Sequence, residues 1–264
     1  MRTRIHKYWK TAVIKAVSPL NDRQWVLLGN YALRLLRVVV LLSIWRTIFA
    51  QKTAAAGITL GAVLTYTLIS EVFADQFSSR TGLDGALWEG TIATRFLRPM
   101  GIFGQFIAEM VGGWCLNLCL FSIPLLLISP LLGVSILPAS VPALGQFVLS
   151  LILAISVGAA LDFIFAALMV VLEHSIYALQ QIRNAVTVLL SGAMLPLVFF
   201  PWGIGDLFGY LPFAAMASAP LRIYTGTGAP LRLLALQAAW SLILWPVVVW
   251  LWRANRERLV SHGG

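Results

Sequence analysis

The chain has 264 residues, 59% of them hydrophobic and 11% charged, with a mean hydropathy of +0.87. A soluble domain of this size needs a polar shell, and 10 acidic plus 19 basic residues cannot supply one, so a soluble enzyme is excluded and the apolar surplus must face lipid. The net charge of +9 does not point to nucleic acid, because the basic residues sit at the edges of apolar runs, where membrane topology places them.

Residues 1–20 come first in chain order. Ile5, Tyr8 and Trp9, Ala12 and Val13, Ala16 and Val17 recur at helical spacing, with Lys7, Lys10 and Lys15 between them. This pattern predicts an amphipathic helix lying on the inner leaflet until the chain turns in at Pro19. It does not read as a signal peptide, because the apolar run behind it exceeds an h-region and the nearest small-residue site, Ala54 to Ala56, lies too far downstream.

Six stretches can then cross a bilayer core of about 30 Å at about 1.5 Å per residue. They run from Trp25 to Phe49, Ile58 to Phe77, Phe103 to Ser129, Leu144 to Leu172, Ile176 to Phe200 and Leu231 to Trp252. Long continuous apolar runs predict helices, since a barrel needs short alternating strands. With both termini inside, 15 of the 19 basic residues fall on the inner side, leaving Arg46, Lys52, Arg222 and Arg232 outside. Arg23, Arg256 and Arg258 are among the inner set. Trp240, Trp245, Trp250 and Trp252 recur along the last span, as interfacial anchors or as lipid-facing bulk.

Ionisable groups within spans are costly and mark ion pairs or pathways. Glu71 and Asp75 lie one turn apart in the inner half of the second span, Glu109 enters the third at similar depth, and Arg34 and Arg37 sit in the inner half of the first. These groups either neutralise one another, or Glu71 and Asp75 line an inward-facing cavity and attract a cation. Asp162 stands in the middle of the fourth span, which carries no basic residue, so it protonates, accepts from a donor such as Asn117, or faces water. Gly158 and its small neighbours let helices approach closely there.

Two connections are more than connectors. Residues 78–102, expected on the inner side, contain a short amphipathic helix from Leu87 to Arg98. Leu87, Trp88, Ile92, Phe96 and Leu97 form its apolar side, it stops before Pro99, and Glu89, Arg95 and Arg98 are left exposed. Residues 201–230, expected outside, carry Leu207, Phe208, Leu211, Phe213 and Met216 between glycines and prolines. That segment is too apolar for a solvated loop and too broken for one span, which predicts a re-entrant or capping pair of short helices.

Enzyme chemistry finds no support. The chain has no phosphate-binding glycine loop, no dinucleotide fingerprint and no H-E-x-x-H. His6, His174 and His262 lie in three separate segments, which disfavours a metal cluster. Cys115 and Cys119 share a helix face and read as small packing residues, or else as a soft-metal pair.

The ordered motifs carry a resemblance. They are Trp88-Glu89-Gly90 through Leu97-Arg98-Pro99, then Leu190-Ser191-Gly192-Ala193-Met194-Leu195-Pro196 with Phe199-Phe200-Pro201, then Leu211-Pro212-Phe213-Ala214, Pro220 and Ile223-Tyr224-Thr225-Gly226. Together with six spans and no nucleotide site, the chain resembles a bacterial type-2 ABC exporter permease, and more narrowly the permeases of viologen-type exporters. The resemblance implies a single permease domain over residues 1–264 in the bacterial inner membrane. It further implies pairing with an identical or sister permease and with two separately encoded cytoplasmic ATPase subunits, which bind the ATP and Mg. Leu87, Trp88, Glu89, Arg95, Phe96 and Arg98 would then be the coupling helix docked on the ATPase. Phe200, Pro201, Leu211 and Phe213 would belong to the outer gate, and Glu71, Asp75, Asn117 and Asp162 to the substrate path. Unpaired intramembrane acids would favour an apolar or cationic amphipathic cargo. An ion-coupled secondary transporter using Asp162 and a non-transporting scaffold are the alternatives.

Overall fold

The computed structural model describes residues 2–22, 24–51, 54–55, 57–172 and 176–255. The basic residues Arg23, Lys52, Arg256 and Arg258, which bear on orientation, and the histidines His174 and His262 lie outside the described residues. The regular structure of the described residues is helical apart from a hairpin in which β1 (Ala54–Ala55) pairs antiparallel with β2 (Ile58–Thr59).

Four helices are long and apolar enough to cross a membrane. They are α2 (Gln24–Ile48), the continuous run of α7 (Ile102–Asn117), a π turn (Leu118–Ser122) and α8 (Ile123–Ile128), then α9 (Val141–Val171) and α14 (Pro230–Ala254). The other two expected spans are each interrupted. Ile58 and Thr59 belong to β2, and the second span divides at Phe73 into α3 (Leu60–Val72) and α4 (Ala74–Ser78). The fifth is helical over α10 (Ile176–Leu190) and then irregular to a 3-10 turn at Leu197–Phe199.

Both interruptions have local causes. Thr59 caps α3 by accepting from the Ala62 amide. Beyond α10, Gly192 takes φ of +75° and Pro196 cannot donate to a helix. The freed carbonyls find partners elsewhere. Tyr66 and Ser70 of α3 donate to Gly192 and Ala193 at 2.7 and 2.6 Å, and the Ser218 amide donates to Ser191 at 2.9 Å. Residues Val63 to Val72 of α3 are all buried, so its apolar composition serves protein contacts as much as it would serve lipid.

Helix α1 (Arg2–Asp22) continues past Pro19, where the turn was expected. It also packs on protein. A Cβ at Gly104 would stand 2.6 Å from the Tyr8 ring, and Gly112 backs directly onto the Ala12 carbonyl. Tyr8, Ala12 and Ala16 are partly covered, whereas Trp9, Val13, Ile14 and Val17 are exposed. The expected apolar stripe therefore splits into a face on α7 and a face left for lipid.

The centre of the molecule is α9, which touches α14 most extensively and also α4, α10, α5 (Leu83–Trp88), α12 (Pro212–Met216) and α13 (Ser218–Tyr224). Ser140 caps its start by accepting from Ala143 at 3.2 Å. At 31 residues, α9 is about 46 Å long, well beyond a hydrocarbon core of about 30 Å. Polar ties secure its neighbours: Gln237 of α14 accepts from Ser150 at 2.8 Å and donates to the Ala215 carbonyl at 2.8 Å. Trp245 donates to Ser156 at 2.9 Å, and Trp252 packs on Phe103 with ring centroids 4.9 Å apart. These tryptophans and Trp240, which donates to the Tyr210 carbonyl, thus serve contacts inside the protein, while Trp250 stays exposed.

Gly158 admits the closest approach to α9. A Cβ there would lie 2.6 Å from both Cβ and Oγ of Ser79, a fully buried residue at φ of +42°. Gly145 on the same helix has nothing near it. Gly158→Ala should therefore destabilise the detergent-solubilised protein by about 1–3 kcal/mol through overpacking, while Gly145→Ala should leave its thermal unfolding midpoint unchanged or higher.

Candidate functional site

Every intramembrane acid singled out from the sequence meets an arginine. On α2, Arg34 lies 3.4 Å from both Asp75 of α4 and the Asn117 side chain, and it donates to the Glu71 carbonyl at 3.1 Å. Its guanidinium also stacks 4.1 Å from the Phe121 ring centroid. Arg37, one turn later, pairs with Glu71. The π turn adds one residue within the third span and keeps Asn117 and Phe121 on the Arg34 side, while Ser122 donates to the Val72 carbonyl at 2.7 Å. Glu71, Asp75 and Asn117 are thereby brought together.

Arg34, Arg37, Glu71 and Asp75 border a cavity of about 420 Å³. Its polar wall is Arg34, Arg37, Glu71, Asp75, Ser70 and Arg80, and Leu41, Phe77, Val188 and Met194 form its apolar wall. A mixed wall of this kind suits a ligand with a polar head and an apolar body. The acids are not free: the Glu71 side chain is 10% exposed beneath an Arg37 side chain that is 53% exposed. The premise that unpaired acids would draw in a cation is therefore corrected.

Asp162 lies apart from this group, and Asn117 is not its partner. Its Oδ1 meets Arg183 of α10 at 2.7 Å, and its Oδ2 accepts from both the amide and the hydroxyl of Thr81. The two charged side chains are 3% and 5% exposed, so the carboxylate is neither lone nor open to water. Thr81 and Arg183 are its partners, and neither was paired with it from the sequence. Arg183 carried a signal, because it is the basic residue of the fifth apolar run and a charge there requires a counter-charge. Thr81 carried none.

The 78–102 segment forms two helices, α5 (Leu83–Trp88) and α6 (Ile92–Phe96), where one was expected. Gly90, at φ of +67°, turns the chain between them. Leu87 and Ile92 are buried and Phe96 partly so, in a cluster with Phe106, Val157 and Leu161. Trp88 and Leu97, expected on the apolar side, are exposed together with Glu89 and Arg98. Arg95, expected to be exposed, is half-buried against Glu109, with a second contact at 3.1 Å, because α7 returns beneath α6. Arg98 reaches the same carboxylate at 3.5 Å. Gln105 holds the turn by donating to the Arg95 and Met100 carbonyls, both at 3.0 Å.

At the other end, residues 201–230 form α11 (Ile204–Gly209), α12 and α13, preceded by a 3-10 turn at Pro201–Gly203. Phe200 and Phe208 meet edge to face at 5.4 Å, Pro201 is exposed, and Leu211 and Phe213 are partly buried. Residues 214–221 are buried against the core, which explains the apolar composition. Arg232 bonds to the Tyr210 hydroxyl. Cys115 and Cys119 are exposed, so the expectation that they are packing residues does not hold. Among the described residues, no cluster of His, Cys, Asp and Glu has metal-binding geometry.

The chain matches the family description "ABC-2 family transporter protein" over residues 35–263. No curated protein and no solved structure gives a significant match. The match covers all four acids of the charge clusters and every arginine paired with them except Arg34, which lies just before it, together with both short-helix segments and all of α7 to α14. On that coverage, this multi-pass membrane protein belongs to the ABC-2 family of transporter proteins.

Proposed function

We propose that the chain is the membrane-spanning permease subunit of an ATP-binding cassette exporter, set in the bacterial inner membrane with both termini cytoplasmic. Family membership already implies ABC ATPase partners in general. In this reading two ATPase subunits supply ATP and Mg, and a second permease, identical or sister, completes the translocation path. Six crossings are counted by adding the α3 and α4 pair, and α10 with residues 191–200, to the four long helices.

The observation that carries the reading is the form of the 78–102 segment. Buried Leu87 and Ile92 anchor two short helices to the helix core, while Trp88 and Glu89 project from the corner between them. A fixed base with an exposed aromatic and an exposed charge suits docking into a protein cleft. Orientation is supported by clustering: Arg80, Arg95, Arg98 and Arg183 gather around this segment. Arg46 instead bonds to Leu132 near the far end, and the Tyr224 hydroxyl bonds to Ile136 there. The short helices α11 to α13 would then form the re-entrant outer gate, with Phe200, Pro201, Leu211 and Phe213 at its edge.

For cargo, the mixed wall beside Glu71 and Asp75 supports an amphipathic compound with an apolar body. Asn117 meets Arg34 at 3.4 Å but lines a neighbouring cavity rather than this one. The secondary-transporter alternative loses its main support, because Asp162 is bound by Arg183 and Thr81.

In complexes with the partner ATPase, Trp88→Ala with Glu89→Lys should lower substrate-stimulated ATP hydrolysis at least fivefold with expression unchanged. Unaltered hydrolysis and export would remove the docking assignment. Glu71→Gln should leave stimulation by a neutral amphipathic compound within twofold. A loss confined to cationic compounds would instead restore Glu71 as a cation-attracting group.

A further inference from the structure

We infer that the Asp162–Arg183 ion pair is the joint that fixes residues 78–84 to α9 and α10, so that motion imposed on α5 and α6 passes to these two helices rather than back along the chain to α3. The inference rests on the permease reading above and assigns a positioning role to Asp162 and Arg183, neither of which lines the cavity.

Three contacts on one face of α10 hold this stretch. Gln180 donates to Asp84 at 2.9 Å, Arg183 donates to the Ser78 carbonyl at 3.3 Å, and Asn184 accepts from Arg80 at 2.8 Å. Positions 180, 183 and 184 follow helical i, i+3, i+4 spacing, so a single turn of α10 grips the segment. From α9, Asp162 takes both Thr81 donors and Arg183, and Gly158, one turn earlier, seats Ser79. Ser79, Thr81 and Leu83 are consequently buried.

The covalent path to α3 is less continuous. It passes through Phe73, at φ −104° and ψ 19°, and through Ser79 in the left-handed region, so helical hydrogen bonding is broken on both sides of the five-residue α4. A segment held by buried opposite charges on one side and by two backbone breaks on the other moves with the charges. Leu83, Ala86 and Leu87 pack in one cluster with Val157, Ala160 and Leu161 of α9, which extends the grip into α5.

Removing one partner of a buried pair strands the other charge, whereas neutralising both is far better tolerated. The test therefore uses Asp162→Asn with Arg183→Gln in the permease assembled with its ATPase in lipid nanodiscs. Expected are normal assembly, basal ATP hydrolysis within twofold of the unmodified complex, and at least a tenfold loss of substrate-stimulated hydrolysis and transport. A second measurement joins the segment to α10 covalently through Asp84→Cys with Gln180→Cys, in a chain carrying Cys115→Ser and Cys119→Ser. If the two move as one body, the oxidised bridge should leave transport within twofold of the reduced form. Normal coupling in the neutralised variant, or transport abolished by the bridge and restored by reductant, would overturn the inference. If the neutralised variant does not assemble, the bridge decides alone. Transport by the unmodified chain without an ATPase would instead overturn the permease reading and this inference with it.

Discussion

A charged side chain persists in an apolar environment where an opposite charge and hydrogen-bond donors replace the water it has lost, and this requirement connects the helices of the molecule. Arg34 and Arg37 tie α2 to α3 and α4, Arg95 ties α6 to α7, and Arg183 ties α10 to α9. Each pair joins elements that are distant in sequence or separated by a turn. Because lipid rewards apolar contact everywhere, apolar packing alone cannot choose which helices become neighbours. The ion pairs, with the Gln237 and Trp245 bonds, supply that choice.

Small residues complete what the charges begin. At Gly158 the absence of a Cβ lets the backbone at Ser79 reach α9, which places Thr81 within reach of Asp162. At Gly104 and Gly112 the same economy lets α1 lie on α7. The cavity beside Arg34 exists because the two interrupted helices leave room: α3 and α4 bend at Phe73, and α10 stops before Gly192. Irregular backbone at these points is tolerated because Tyr66, Ser70 and Ser218 satisfy the freed carbonyls.

The long helices α2, α7, α9 and α14 were legible because length and hydropathy alone specify a membrane-crossing helix. The second and fifth spans were legible as apolar but not as broken. Burial inside protein and exposure to lipid select the same residue types, so composition did not separate α3 from a lipid-facing helix. Gly90 was visible as a glycine, yet its positive φ and the division of the segment into two helices were not. Glu71 and Asp75 were found together by their spacing and depth, whereas Asn117, expected as a donor to Asp162, meets Arg34 instead, since depth does not reveal rotation about a helix axis.

By itself the sequence determined that the chain is a helical membrane protein, where its long helices run, and which few charges must be accounted for. These follow from local quantities, hydropathy and length, that act on every residue independently of its neighbours in space. The tertiary structure alone decided that each of those acids has an arginine, that Arg95 turns inward, and that Thr81 and Arg183 meet at Asp162. Pairing depends on how helices rotate and pack against one another, and that is a property of the assembled bundle rather than of any one segment.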